Sequence, residues 1–344
     1  MKLEPNTHSE GIAPVAQFFI PAAASLQERR PRVLKHGDSF AVYDHNGDIL
    51  SGPGSPEGLF FKDTRHLSHL YLTLNGARPM LLSSSLRDDN AALICDLTNP
   101  DLAGEDGQLF EHDRLHIRRV RALWEATAHE RLAIRNFDDR SRRIRVSFAF
   151  EADFADLFEV RGAKRKRRGQ HELPLVNGDS VLLAYQGLDG RRRETRLRFD
   201  PAPTGLAHDR ADYVLDIGAG DTKVLFFETS CNPGPPAAEP ARRQFFIGLR
   251  GARRALRTCA ANAASIETSN AILNEALCRS IADLFMLVSD TPEGPYPYAG
   301  IPWYSTVFGR DAIITALQTM WLDPSLALGV MRHLAAHQAK AIDE

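Results

Sequence analysis

From Arg143 to Glu151 the chain alternates without a break: Ile144, Val146, Phe148 and Phe150 take one face, and Arg143, Arg145, Ser147 and Glu151 the other. Successive side chains of a strand point to opposite sides, so this pattern specifies a β-strand with one dry and one wet face. Such a strand needs a hydrogen-bonded neighbour and a second apolar layer over its dry face. Glu130 to Arg135, joined to it by Asn136-Phe137-Asp138-Asp139, is the expected antiparallel neighbour.

The same grammar recurs on both sides. Asp44-His45-Asn46-Gly47-Asp48 separates two short apolar runs, and Asn75-Gly76 separates Leu70–Leu74 from Met80–Leu82. Tyr213-Val214-Leu215 and Val224–Phe227 flank Gly218-Ala219-Gly220-Asp221. Each reads as a hairpin, and many short strands at this spacing predict a large antiparallel β-sandwich over residues 31–235. Residues 1–30 lack periodicity and read as a loosely held arm.

Near residue 235 the composition shifts. Pro233, Pro235, Pro236 and Pro240 mark a linker, and Ala, Leu and Arg dominate beyond it. Residues 236–268 are assigned as linker and start of a helical region. From the N-cap candidate Ser269, residues Ile272, Leu273, Leu277, Ile281, Leu284, Phe285 and Val288 recur at helical spacing. A second helix is expected from about Asp311 to Trp321, and a third with Asp323 as cap and Pro324 in its first position. The expected order is therefore multidomain, β then α.

With 344 residues, 43% of them apolar and a net charge of −2, the chain can build two cores and carries no whole-molecule field for nucleic acid or acidic membranes. Cys95, Cys231, Cys259 and Cys278 show no zinc or disulfide spacing and are expected reduced and mostly buried. No apolar run reaches 18 residues, and the N-terminal stretch is broken by Gln17 and Pro21, so neither a membrane span nor a signal peptide is expected. A cytoplasmic protein without cofactor or metal is the resulting expectation.

Chemistry concentrates in the loop between the first two helices, Thr291 to Gly309. Tyr296, Tyr298, Trp303, Tyr304 and Phe308 lead into the charged pair Arg310-Asp311. Pyranose rings offer apolar C–H faces and a rim of hydroxyls, which flat aromatics and charged hydrogen-bonding groups match. Trp303, Phe308, Arg310 and Asp311 are the candidate substrate-binding residues. The alternative is plain packing: rings between helices, and an ion pair at a helix start. The residues alone leave both open.

Phe308-Gly309-Arg310-Asp311-Ala312 resembles the start of an early barrel helix in the glycogen-debranching, amylo-α-1,6-glucosidase group, whose helical domain is similar to glucoamylases. Phe308 stands where glucoamylases often carry Trp. Three further segments resemble the debranching-type N-terminal sandwich: Val33 to Phe40, Gly58 to Arg65, and Asp153 to Gly162. The resemblance implies that residues 269–344 begin an (α/α)6 glycoside-hydrolase domain, incomplete at Glu344. It also implies that the Arg-Asp pair binds the non-reducing-end sugar of an α-glucan or oligosaccharide. Hydrolysis needs two positioned carboxyl groups, which the family places on later barrel loops. Residues 1–344 are thus expected to be inactive alone, with the missing catalytic portion as a possible partner chain. Ile313, Ile314, Leu317, Trp321, Leu326, Val330, Met331 and Leu334 give the last two helices apolar stripes that further helices would bury. The rival reading is a non-catalytic carbohydrate-binding or scaffold sandwich.

Other motifs carry less. Lys164-Arg165-Lys166-Arg167-Arg168 contains no aromatic and reads as a solvated tip after a strand, with polyanion binding the weaker reading. His333 and His337 stand one turn apart but lack the Glu of a metalloprotease helix, and read as surface or packing groups, as do His66, His69, His112 and His116. Asp63, Arg65, Asp153, Asp156 and Glu159 are expected to have structural roles.

Overall fold

The computed structural model describes residues 31–52, 55–87, 90–103, 109–235 and 239–340, leaving aside the side chains of 259 and 260. The expected arm, 1–30, and the terminal Glu344 lie outside the described residues. Two antiparallel sheets dominate. The larger runs in the order Gln170–His171, Ser180–Gln186, Arg192–Asp200, Thr222–Cys231, Thr127–Asn136, Leu115–Trp124, Leu93–Thr98, Met80–Leu86, with Leu175–Asn177 also on Ser180–Gln186. The smaller runs Gly205–Leu206, Arg210–Ile217, Arg142–Glu151, His69–Leu74, Ile49–Leu50. Their apolar faces meet in one core. Ile144, Val146, Phe148 and Phe150 are all buried there, as the alternation requires, and Phe148 meets Phe227 of the opposite sheet at 4.8 Å between ring centres. The sandwich expected from the sequence is present.

The pairing within it differs from the expected one. Arg142–Glu151 pairs with Arg210–Ile217 and His69–Leu74, whereas Thr127–Asn136 lies in the other sheet between Leu115–Trp124 and Thr222–Cys231. The segment at 136–139 is therefore an arch that crosses the core, and so is 218–221 between Arg210–Ile217 and Thr222–Cys231. The turns at Asn75-Gly76 and at 44–48 likewise connect strands of different sheets. Asn136 gives the reason at one end: its side-chain amide donates to the carbonyls of Arg140, Ile217 and Gly218, at 2.7–3.2 Å, locking two arches together. The strands on either side then face each other through their dry sides instead of lying edge to edge. Tight hairpins occur where no Asn-Gly signals them. Glu125-Ala126 joins Leu115–Trp124 to Thr127–Asn136, and Lys62-Asp63 joins Gly58–Phe61 to Thr64–Leu67, all four residues at positive φ.

A third sheet, Arg32–His36, Ser39–Tyr43, Gly58–Phe61 and Thr64–Leu67, carries two of the segments singled out by their family resemblance. The third segment forms a one-turn helix, α1 (Leu157–Val160), in place of the strand expected before the basic run. Asp156 caps it, accepting from Phe158 and Glu159, while Glu159 answers the Asp156 N–H. Residues 236–268, assigned as linker and helical start, hold a 20-residue helix, α2 (Ala241–Ala260). It lies on the outer face of the large sheet, with Phe245 buried against Phe226. Its Gly251 sits so close to the sheet that a Cβ would lie 2.6 Å from the Trp124 ring. Three further helices follow: α3 (Ala271–Leu287), α4 (Gly309–Thr319) and α5 (Pro324–Ala336). Asn270, one residue past the expected cap, caps α3 by accepting from Leu273, and Asp323-Pro324 starts α5 as expected. No helix of the described residues is long and apolar enough to cross a membrane.

His66 ties the third sheet to the large one. Its Nδ1–H donates to the Glu194 carbonyl at 3.0 Å, and the Thr195 hydroxyl donates to the His66 carbonyl at 2.7 Å. Nε2 is buried without a partner. Burial, then the Arg193 charge, depresses the imidazole from 6.5 to about 3. The unfolded chain takes up this proton near pH 6.5 and the folded one only near 3. Its contribution is therefore intact above 6.5 and declines below it, by about 1.4 kcal/mol per pH unit. Glu57, pushed up to about 7 chiefly by burial, works in the opposite sense over the same range. The readout is accordingly a difference. From pH 6.5 to 5, His66→Gln should lose stability less steeply than wild type by about 1 kcal/mol per unit in urea unfolding. Equal slopes would contradict the neutral, buried His66.

Candidate functional site

The aromatic loop is built on a hairpin, Val288–Thr291 with Gly294–Pro297, which follows α3 directly. Tyr296 is fully buried, and its hydroxyl donates to the Phe308 carbonyl at 3.1 Å, closing the loop at the start of α4. The loop is moored to the third sheet at several points. Lys35 Nζ donates to Ser289 Oγ at 2.6 Å and lies 4.8 Å over the Tyr298 ring, and the Tyr298 hydroxyl donates to Asp38 Oδ1 at 2.8 Å. Burial, then Asp38, pushes the Tyr298 hydroxyl up to about 12. Crowding by protein and the Asp38 charge also raise the Asp63 carboxyl above its ordinary value.

Trp303 sits half-buried on a small apolar cluster of Phe40, Val42, Phe60, Ala155, Leu157 and Val160. Phe40 and Phe60 stack beneath it at 4.5 Å. All of those residues but Val42 come from the three segments that resemble debranching enzymes, so stretches more than 100 residues apart in sequence converge under one loop. On the outer side, the Arg161 guanidinium lies 5.7 Å from the Trp303 ring and 5.6 Å from Tyr304, a cation over two π faces. Tyr304 meets Phe308 edge to face at 5.5 Å, and both keep solvent access.

Arg310 and Asp311 begin α4. Arg310 is 85% exposed and its contact with Asp311, at 3.7 Å, is loose. Phe308 occupies the cap position without a side-chain acceptor, so Asp311 in the first turn is the group that complements the helix dipole. Of the four candidates, Trp303 packs on the sandwich cluster, Phe308 and Arg310 are exposed, and Asp311 is half-exposed. Tyr304 adjoins both Phe308 and Arg161, so two solvent-accessible rings and a guanidinium lie side by side. Arg161 was visible in sequence only as part of a family-like segment, because nothing local places it over rings 142 residues away.

The acidic and basic residues of the sandwich segments act as framework. Arg65, nearly buried, pairs with Asp153 at 2.5 Å. Within the basic run, Arg165 pairs with Asp156 and Arg168 with Glu159. Cys95 and Cys231 are free and buried, and Cys278 is free and exposed.

A sequence model described as the N-terminal domain of (some) glycogen debranching enzymes matches residues 34–228, more than half of the chain. No curated protein sequence matches it. Among solved structures, a provisionally assigned kojibiose phosphorylase from the human microbiome is similar with a TM-score of 0.55 and 9% identity, over 87% of this chain and 45% of that one. The chain thus spans under half the length of that protein, and at this identity the likeness is one of fold. A provisionally assigned aldose 1-epimerase from Escherichia coli overlaps 59% of this chain and 99% of its own, at 8% identity and a TM-score of 0.32, too low to carry an argument.

Proposed function

This chain belongs to the family of the N-terminal domain of (some) glycogen debranching enzymes, and from that premise we propose that it is the front portion of a debranching-type glycoside hydrolase of the amylo-α-1,6-glucosidase kind. In this reading the chain recognises an α-glucan or related oligosaccharide and leaves the bond-breaking carboxyls to further barrel elements. Tyr304 and Phe308 offer their rings to the C–H faces of a sugar. Arg310 donates to, and Asp311 accepts from, its hydroxyls, bonds strengthened by charge. Trp303 and Arg161 hold that surface against the sandwich.

One observation carries the proposal: all three debranching-like segments of the sandwich pack under the loop that presents the exposed rings and the Arg-Asp pair. Tyr304, Phe308 and Arg310 of that loop are open to solvent and so to a ligand. The same reading accounts for α4 and α5. Ile313, Ile314, Leu317, Met320, Trp321, Leu328 and Met331 stand exposed on or just after them, apolar surface of the kind that neighbouring helices of an (α/α)6 barrel would cover. Glycoside hydrolysis needs two carboxyls flanking the scissile bond. Asp311 offers one carboxylate at the start of α4, and Asp38 is engaged by Tyr298. Residues 1–344 incubated with a 1,6-branched limit dextrin should therefore release no glucose above the no-enzyme control. Steady turnover that scales with protein would overturn the division between recognition here and catalysis elsewhere.

A further inference from the structure

Glu293 occupies the turn of the hairpin that carries the aromatic loop, and His333 and His337 lie one turn apart at the end of α5. Nothing in the sequence joins residue 293 to residue 333, but in the fold Glu293 Oε2 lies 2.9 Å from His333 Nδ1. The two imidazoles stack with centres 4.1 Å apart. One nitrogen from each ring and one carboxylate oxygen all fall within 4.8 Å of one another, the one such grouping of His, Cys, Asp or Glu among the described residues. We propose that Glu293, His333 and His337 form a binding site for a divalent transition metal of the zinc class.

The donor set selects that class. Two imidazoles and one carboxylate are borderline ligands that suit Zn2+ and Co2+, whereas Ca2+ and Mg2+ call for oxygen alone. Three protein ligands leave a fourth tetrahedral position for water. The His337 Nδ1–H donates to the His333 carbonyl at 2.9 Å, which fixes the proton there and leaves Nε2 with its lone pair for a metal. His333 is held in place by the edge of Tyr296, 4.9 Å away. With metal–ligand bonds near 2.0–2.1 Å and tetrahedral angles, neighbouring donors sit about 3.3 Å apart. The His333–Glu293 contact must therefore open by a few tenths of an ångström, and His337 must close the rest. His337 can do so because it is exposed at the helix end, while His333 is only 12% exposed.

A metal here joins the hairpin turn to α5. The two are already in close contact, since Gly329 of α5 leaves no room for a Cβ against the Pro295 carbonyl. The site would stiffen the platform of the aromatic loop from below, and it stands independently of the sugar reading. The test is titration of the chelator-stripped 344-residue chain with Co2+, followed by the visible absorption of four-coordinate cobalt and its displacement by Zn2+. One equivalent should bind, and Glu293→Gln and His337→Ala should each weaken binding by about tenfold or more, with unchanged far-UV circular dichroism. Absence of one-equivalent binding to wild type, or a smaller loss in either variant, overturns the assignment.

Discussion

Replacing Glu130 with alanine should cost about 3–5 kcal/mol of unfolding free energy, read as a lower urea midpoint with an unchanged slope. Glu130, Arg119 and Asp48 are each at most 2% exposed, inside the sandwich. Arg119 Nε donates to Glu130 Oε1 at 2.7 Å, and its Nη1 donates to Asp48 Oδ1 at 2.6 Å and to the Asn46 carbonyl at 2.9 Å. Arg121 pairs with the other Glu130 oxygen and lies over the Tyr43 ring at 4.4 Å. Burial opposes the Arg119 charge, but Glu130 and Asp48 together outweigh it and hold the guanidinium above its ordinary value. Removing Glu130 leaves two guanidiniums in the core with too little counter-charge, and that uncompensated charge is the main cost. Because the groups act as a network, Arg119→Met and Glu130→Ala should be non-additive. The double variant should lose at least about 1 kcal/mol less than the sum of the singles. Additive losses would mean that each side chain is stabilised separately.

Trp303→Ala should cost about 2–3 kcal/mol. A fully buried Trp or Phe truncated to Ala costs about 3–5 kcal/mol, and half-burial scales this down. The ring covers Phe40 and Phe60 and lies under the Arg161 guanidinium, so its loss uncovers the cluster that binds the loop to the sandwich. Phe308→Ala, on the exposed side, should cost less than about 1 kcal/mol. Urea unfolding of the two variants separates an anchoring ring from a displayed one. Equal small losses would deny Trp303 its anchoring role.

The strand periodicities were legible because burial on one face writes itself into alternate residues, and Ile144 to Phe150 lie in the core as the pattern requires. Sheet membership was not legible. An arch and a hairpin both join two alternating runs through a polar turn, and only contacts such as Asn136 to the 217–218 carbonyls decide between them. The true hairpin at Glu125-Ala126 took left-handed backbone without Gly or Asn, so it gave no turn signal. Asp323-Pro324 announced α5 by local chemistry, whereas α2 begins at Pro240 with no side-chain cap and among prolines that argued for a linker. At the site, the rings and the Arg-Asp pair were readable as types in a loop. Which of them anchors and which is displayed depended on residues 33–42, 60 and 155–161 arriving beneath.

The most direct test of the account is calorimetric titration of a malto-oligosaccharide into the 344-residue chain and into its Arg310→Ala and Asp311→Asn variants. Arg310 is exposed, Asp311 is half-exposed and their mutual contact is loose, so each variant should unfold within about 1 kcal/mol of wild type. Each should weaken sugar binding by about tenfold, the loss of about 1.4 kcal/mol expected for a hydrogen bond to a charged group. Binding of wild-type strength in both variants would contradict the account and place recognition on the sandwich alone.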